Sequence, residues 1–149
     1  MVAAAPDAAN ASRRAATLAA EHAALWCYAL AVAFLPPDEA TQARADADAH
    51  RELRSRVAQT LTDVGKRPVS AQPAYATPWA VVDAASAAAL AAVAESDTMA
   101  AWRSILERTT YVELRQVAIT TLTAATVRLA RWRTVNGDAP AVPDFPGSA

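Results

Sequence analysis

The sequence predicts an all-α protein: a four-helix bundle of two antiparallel hairpins joined by one long crossover. Three observations carry this expectation. The composition is 54% hydrophobic with only three glycines, and much of its apolar share is alanine with leucine and valine at helical spacing; alanine is the best helix former and lets helices approach closely. Four such stretches are each bounded by a cap, a proline or a glycine. A proline-punctuated link separates the second from the third, whereas the other two joints have almost no loop. The 149 residues fit one domain, 1–149, with a core of ordinary size.

The first helix, 11–35, takes Asn10 or Ser12 as its cap and stops at Pro36-Pro37. Its inner stripe reads Leu18, Glu21, Leu25, Tyr28 and Val32, with Trp26, Ala29 and Ala33 alongside. The second, 37–64, opens at Pro37 with Asp38 and Glu39 in the first turn, where the helix dipole favours acids. It carries His50, Leu53, Val57, Leu61 and Val64 inward and ends at Gly65. The third, 83–108, starts from Asp83 and presents Leu90, Ala91, Ala94, Glu95, Met99, Trp102 and Leu106. In the fourth, 111–136, Thr110 followed three residues later by Glu113 is a capping-box pattern. That helix runs through Leu114, Ala118, Leu122, Ala125, Leu129 and Trp132 to Asn136-Gly137. The proline-rich tail, 137–149, is non-helical, and Phe145 is expected to pin it to the bundle.

The crossover, 65–82, reads "GKRPVSAQPAYATPWAVV", where Pro68, Pro73 and Pro78 exclude helix. Its length in extended form reaches up to about 59 Å, against about 40 Å for a helix as long as the second one. It can therefore run the length of the bundle and leave the second and third helices parallel. One long crossover between two hairpins is the ferritin-like arrangement.

Composition also excludes whole classes of function. A formal net charge of −1 lacks the basic field of a nucleic-acid binder. Lys66 is the only lysine among fourteen basic residues, a bias that fits a GC-rich genome; Arg128, Arg131 and Arg133 read as cations favoured by a helix C-terminus. Cys27 stands alone, so neither an internal disulfide nor a thiolate metal site can form, and a reducing cytoplasm is the expected compartment. The opening "MVAAAPDAAN" lacks the charged region of a signal peptide. The apolar run from Ala23 to Leu35 is about 20 Å long as a helix, short of a ~30 Å membrane core, so no membrane association is expected. Isolated glycines make no phosphate loop, and no Ser-His-Asp set can be assembled.

Ferritin-like bundles often hold two metals, using a glutamate from each of two helices and a Glu-x-x-His motif from each of the others. Counting from the tight turns, Glu21 and His50 differ in height by roughly 3 Å at 1.5 Å per residue, and Glu95 shares their layer. Several ligands are missing. The fourth helix near Ala124 reads "TLTAATVRL", with no carboxylate or histidine. Ala47 stands three before His50 and Thr98 three after Glu95, so neither full motif exists. Two readings remain. In one, Glu21, His50, Glu95 and Asp46 form a degenerate mononuclear site for iron, manganese or zinc. In the other, which is favoured, Glu21 accepts hydrogen bonds from His50 and an arginine, with Arg54 and Arg115 as candidate donors and Tyr28 adding its hydroxyl; satisfied buried networks specify helix register.

The remaining polar and aromatic residues have plainer readings. His22 faces a helix edge or solvent, and Glu113 belongs to the cap. Cys27 is a small buried apolar residue with no cation to lower its pKa. Tyr75 and Trp79 lie flat on the bundle, and Trp26, Trp102 and Trp132 are core or interface anchors.

The segments "LAAEHAALWCYAL", "AHRELR", "PAYATP" and "ARWRTVNGDAPAVPDFPG" resemble the alanine-rich, ferritin-like domain family of unknown function found in actinobacteria. The resemblance spans Leu18 to Gly147 and implies a ferritin-like four-helix fold and a small oligomer. It brings no established activity, cofactor or catalytic residue. The expectation is an uncharacterised, non-enzymatic ferritin-like bundle with a degenerate metal site. It would act through self-association, as a homodimer whose alanine-rich faces pack closely, or through a protein partner. The alternatives are a metal-binding or redox protein centred on Glu21, His50 and Glu95, and a carrier of an apolar ligand between the hairpins.

Overall fold

The computed structural model describes residues 4–148 and contains four helices, with no strand among the described residues. They are α1 (Ala4–Val32), α2 (Pro37–Asp63), α3 (Ala84–Arg108) and α4 (Val112–Asn136). The class is the expected one, an all-α four-helix bundle.

The helix ends follow local chemistry, with two departures from expectation in α1. Helix α1 starts upstream of Asn10 and Ser12, which lie inside it, because the alanine-rich lead continues the helix. It also stops before Leu35, where Ala33 and Phe34 donate to Leu30 and Ala31 in tighter turns ahead of Pro36. Helix α2 begins at Pro37 with Asp38 and Glu39 in its first turn. Gly65 closes it at φ +73, a left-handed conformation that favours glycine. Asp83 caps α3 in a complete capping box: its carboxylate accepts from the Ser86 amide at 2.8 Å, and its own amide donates to Ser86 Oγ at 3.1 Å.

The expected Thr110–Glu113 box does not form. Tyr111 holds the cap position of α4 without a side-chain cap bond. Thr109 is buried and its hydroxyl accepts from the Tyr111 amide at 3.3 Å. Arg115 reaches back to the carbonyls of Leu106 (2.6 Å) and Thr109 (3.2 Å). A guanidinium on the orphan carbonyls at the end of α3 therefore secures this turn in place of a hydroxyl–carboxylate exchange.

The α1–α2 and α3–α4 hairpins pack through α1 against α3. Two apolar clusters fill the interior. One gathers Ala40, Ala43 and Ala47 of α2 with Ala87, Ala88 and Ala91 of α3, plus Ala31, Leu129 and Trp132. The other gathers Val57 and Leu61 of α2 with Trp102 and Ile105 of α3, plus Leu18 and Ala118. The start of α2 thus meets the start of α3, and end meets end: the two helices are parallel, as the crossover allows.

The crossover lies along α1. His22 Nε2 donates to the Val69 carbonyl at 3.0 Å, the Trp26 and Tyr75 rings sit 6.1 Å apart, and Trp79 Nε1 donates to the Ser86 carbonyl at 3.3 Å. Phe145 does not pin the tail; it is 70% exposed. The anchor is Gly147, seated so closely on α3 that a Cβ would lie 2.8 Å from the Met99 carbonyl. Arg103 and Arg133 add hydrogen bonds to the carbonyls of Pro146 and Pro140.

By length and composition alone, Ala9–Val32 of α1 is long and apolar enough to cross a membrane, more than the run after His22 suggested. Here it forms a wall of the bundle, with Leu18, Ala24, Tyr28 and Ala31 buried and Glu21 among them.

Candidate functional site

Between the two apolar clusters every helix contributes a pair of polar side chains spaced to share one face. Helix α1 supplies Glu21 and Tyr28, two turns apart; α2 supplies Asp46 and His50, one turn apart. Helix α3 supplies Glu95 and Trp102, and α4 supplies Arg128 and Trp132. All eight are buried.

They form a continuous network. Glu21 accepts from His50 Nδ1 at 2.6 Å on one oxygen and from Trp102 Nε1 at 2.7 Å on the other. His50 Nε2 donates to Glu95 Oε1 at 2.9 Å. The same oxygen accepts from the Tyr28 hydroxyl at 2.6 Å and from Arg128 Nε at 2.9 Å. Trp132 Nε1 is shared between the Tyr28 oxygen and Asp46 Oδ2, both at 3.0 Å. Asp46 also accepts from Gln42 at 2.9 Å and from Arg131 at 3.3 Å.

The protonation states follow from the donors. Ionised carboxylates only accept, so His50, bonded to one on each side, carries hydrogen on both nitrogens. Burial works to lower its pKa, but the hydrogen bonds and charges of Glu21 and Glu95 outweigh burial and raise it from 6.5 to about 9. Burial likewise opposes the charge on Glu95, yet His50 and Arg128 hold its pKa below the ordinary value. Burial, followed by the charges of Glu95 and Asp46, drives Tyr28 well above the usual phenol range, so it remains a donor. Three formal negative charges (Glu21, Asp46, Glu95) are met by three cations: His50, Arg128 and Arg131. Glu95 Oε2 and Arg128 Nη2 alone in this layer are buried without a hydrogen-bond partner. Arg128 also lines a groove of about 200 Å³ between α2 and α4, with Ala49, Leu53, Thr121 and Ala124.

The structure brings Glu21, His50 and Glu95 together at the level expected from counting, with Tyr28 beside them and Asp46 one turn along. Arg54 takes no part, and Arg115 secures the α3–α4 turn instead. The arginine of the network is Arg128, which the sequence reading assigned to the helix dipole. Trp102 and Trp132, expected as core or interface anchors, each also donate an indole N–H to a carboxylate. The available signal was spacing: Arg128 and Trp132 are four apart and flank the inward Leu129. Cys27 is buried, and burial with the nearby Asp97 charge pushes its thiol up to about 11, far from thiolate at neutral pH. Among the described residues, no three His, Cys, Asp or Glu side chains are arranged to hold a metal ion.

The chain is similar to a conserved hypothetical protein, rv2844, from Mycobacterium tuberculosis. The TM-score to that crystal structure is 0.85 at 32% identity, covering 95% of this chain and 100% of the other. No curated protein matches it. Residues 13–149 match a domain-of-unknown-function family, DUF4439, and the chain belongs to that family.

Proposed function

We propose that the chain is a ferritin-like bundle in which a charge-balanced hydrogen-bond network stands where related bundles hold metal. In this reading it works as a non-enzymatic scaffold, through self-association or a protein partner. The observation that carries the reading is Arg128 Nε on Glu95 Oε1 at 2.9 Å. A guanidinium cannot lose its charge in a protein, so it neutralises the carboxylate that a metal pair would need. The other donors support the same reading. His50 has no lone pair to offer while it bridges two carboxylates, and Glu95 Oε1 already accepts three hydrogen bonds. The fourth helix adds a cation, not a ligand. These residues do not fit a two-metal centre.

Metal analysis of protein purified without chelator, then again after incubation with iron, manganese or zinc, tests the reading. The expected result is well below one ion per chain, unchanged in Glu21→Ala and His50→Ala. One ion per chain that both substitutions abolish would overturn it. The second reading, a mononuclear iron, manganese or zinc site at Glu21, His50 and Glu95 with Asp46 nearby, draws its support from Glu95 Oε2, which no donor occupies. It requires His50 to give up a proton and Glu95 to turn.

A further inference from the structure

We propose that the open seam between α2 and α4 binds a small zwitterion, a free α-amino acid, whose carboxylate is held by Arg128 and Thr121 and whose ammonium faces Glu52. This goes beyond the scaffold reading and uses groups that the buried layer leaves idle. Helix α1 packs closely on α2 and α3, and α3 on α4, whereas α2 and α4 stand further apart. Facing stripes line the gap between them. Ala49, Glu52 and Arg56 recur at three- and four-residue spacing on α2, as do Thr121, Ala124 and Arg128 on α4. Alanine on both sides leaves the groove of about 200 Å³ open. That is below the roughly 300–1,000 Å³ of ordinary small-molecule sites, so only a small ligand fits.

Two buried side chains in the groove have donors to spare. Arg128 is only 8% exposed, yet it spends Nε alone, on Glu95; Nη2 is buried without a hydrogen bond, and Nη1 makes none among the described residues. The hydroxyls of Thr17, Thr98, Thr123, Thr126 and Thr134 each donate to the carbonyl four residues back. That of Thr121, also buried, has no partner among the described residues. Helical side chains lean toward their own N-terminus, so Arg128 leans toward Thr121. Buried donors left unmet are costly, and a carboxylate offers two oxygens that suit a guanidinium edge and a hydroxyl.

The rim selects the rest of the ligand. Glu52 and Arg56 are exposed, and neither has an ion-pair partner among the described residues. One charge of each sign there, over a layer whose charges already balance, makes the groove neutral as a whole. A dianion such as phosphate would be repelled by Glu52 and Glu95, and a simple cation by Arg56 and Arg128. A ligand carrying both signs meets neither penalty, and Leu53 with the two alanines gives its side chain an apolar wall.

Titration of nitrogen-15-labelled protein with L-alanine, followed by NMR, tests this. Saturable shifts are expected at Ala49, Leu53, Thr121, Ala124 and the Arg128 side chain, with a dissociation constant between about 0.1 and 10 mM for so few ligand atoms. Ala124→Leu, at an exposed position where leucine is a good helix former, should fill the groove and abolish the shifts with circular dichroism unchanged. Thr121→Val should weaken binding about tenfold. Propionate, which lacks the ammonium, should bind the wild type about threefold more weakly than alanine, and Glu52→Gln should remove that difference. The proposal is overturned by the absence of any saturable shift from alanine, or by shifts that persist in Ala124→Leu. Propionate binding the wild type as well as alanine, or inorganic phosphate binding it more tightly, would also overturn it.

Discussion

Glu21 and Glu95 occupy the same buried layer, are both shielded from solvent and both bind His50, yet they are neutralised in different ways. Glu21 accepts one donor on each oxygen, and its one cation, His50, can release a proton. Glu95 gathers three donors on one oxygen, and one of its cations is the permanently charged Arg128. A buried carboxylate balanced by a titratable partner can be neutralised together with that partner. One balanced by arginine cannot, because removing either member strands a charge.

The largest expected effect follows from that difference. Glu95→Gln leaves Arg128 buried without its counter-ion and should cost about 3–5 kcal/mol in urea unfolding. Arg128→Met should cost somewhat less, about 2–3 kcal/mol, because His50 still faces Glu95. It should also raise the His50 titration midpoint observed by NMR, since a neighbouring positive charge is gone. Glu21→Gln should cost only about 1–2 kcal/mol: the new amide can donate to Nδ1 of a neutral His50 while its oxygen keeps Trp102. In that variant the His50 midpoint should fall. Equal losses for Glu21→Gln and Glu95→Gln would erase the distinction between the two carboxylates.

Alkaline pH sharpens the same comparison. The folded His50 pKa, about 9, lies above the ordinary 6.5. The stabilisation from its charged form is therefore complete below about pH 6.5 and is lost as pH rises through about 9. Unfolding free energy should decline over that window by on the order of 2–3 kcal/mol. The decline should flatten in Glu21→Gln, where His50 is already neutral. Trp102→Phe, which takes one neutral donor from Glu21, should show the smallest effect, about 1 kcal/mol in thermal unfolding.

How much of this layer was legible depended on how rigidly each feature is tied to chain position. Helical rise is nearly constant and the two hairpin turns are tight, so counting from them placed Glu21, His50 and Glu95 at one height. Arg128 escaped that count for two reasons. A metal-ligand pattern asks the fourth helix for an acid or imidazole near Ala124, which leaves arginine out, and a long guanidinium reaches a carboxylate from a turn away. Trp102 and Trp132 were read by their large apolar surface, although a buried indole N–H also requires an acceptor. Where boundaries failed, a tertiary contact displaced a local pattern: buried Thr109 and the returning Arg115 replaced the Thr110–Glu113 box. At the tail, the close seat of Gly147 on α3 did the work expected of Phe145.

Nitrogen NMR of the His50 ring tests the central claim most directly, because that imidazole joins the two carboxylates. Both ring nitrogens are predicted to carry hydrogen at neutral pH, with a single midpoint about 9. A bare nitrogen at neutral pH, or one whose resonance responds to added zinc, would contradict a self-neutralised layer.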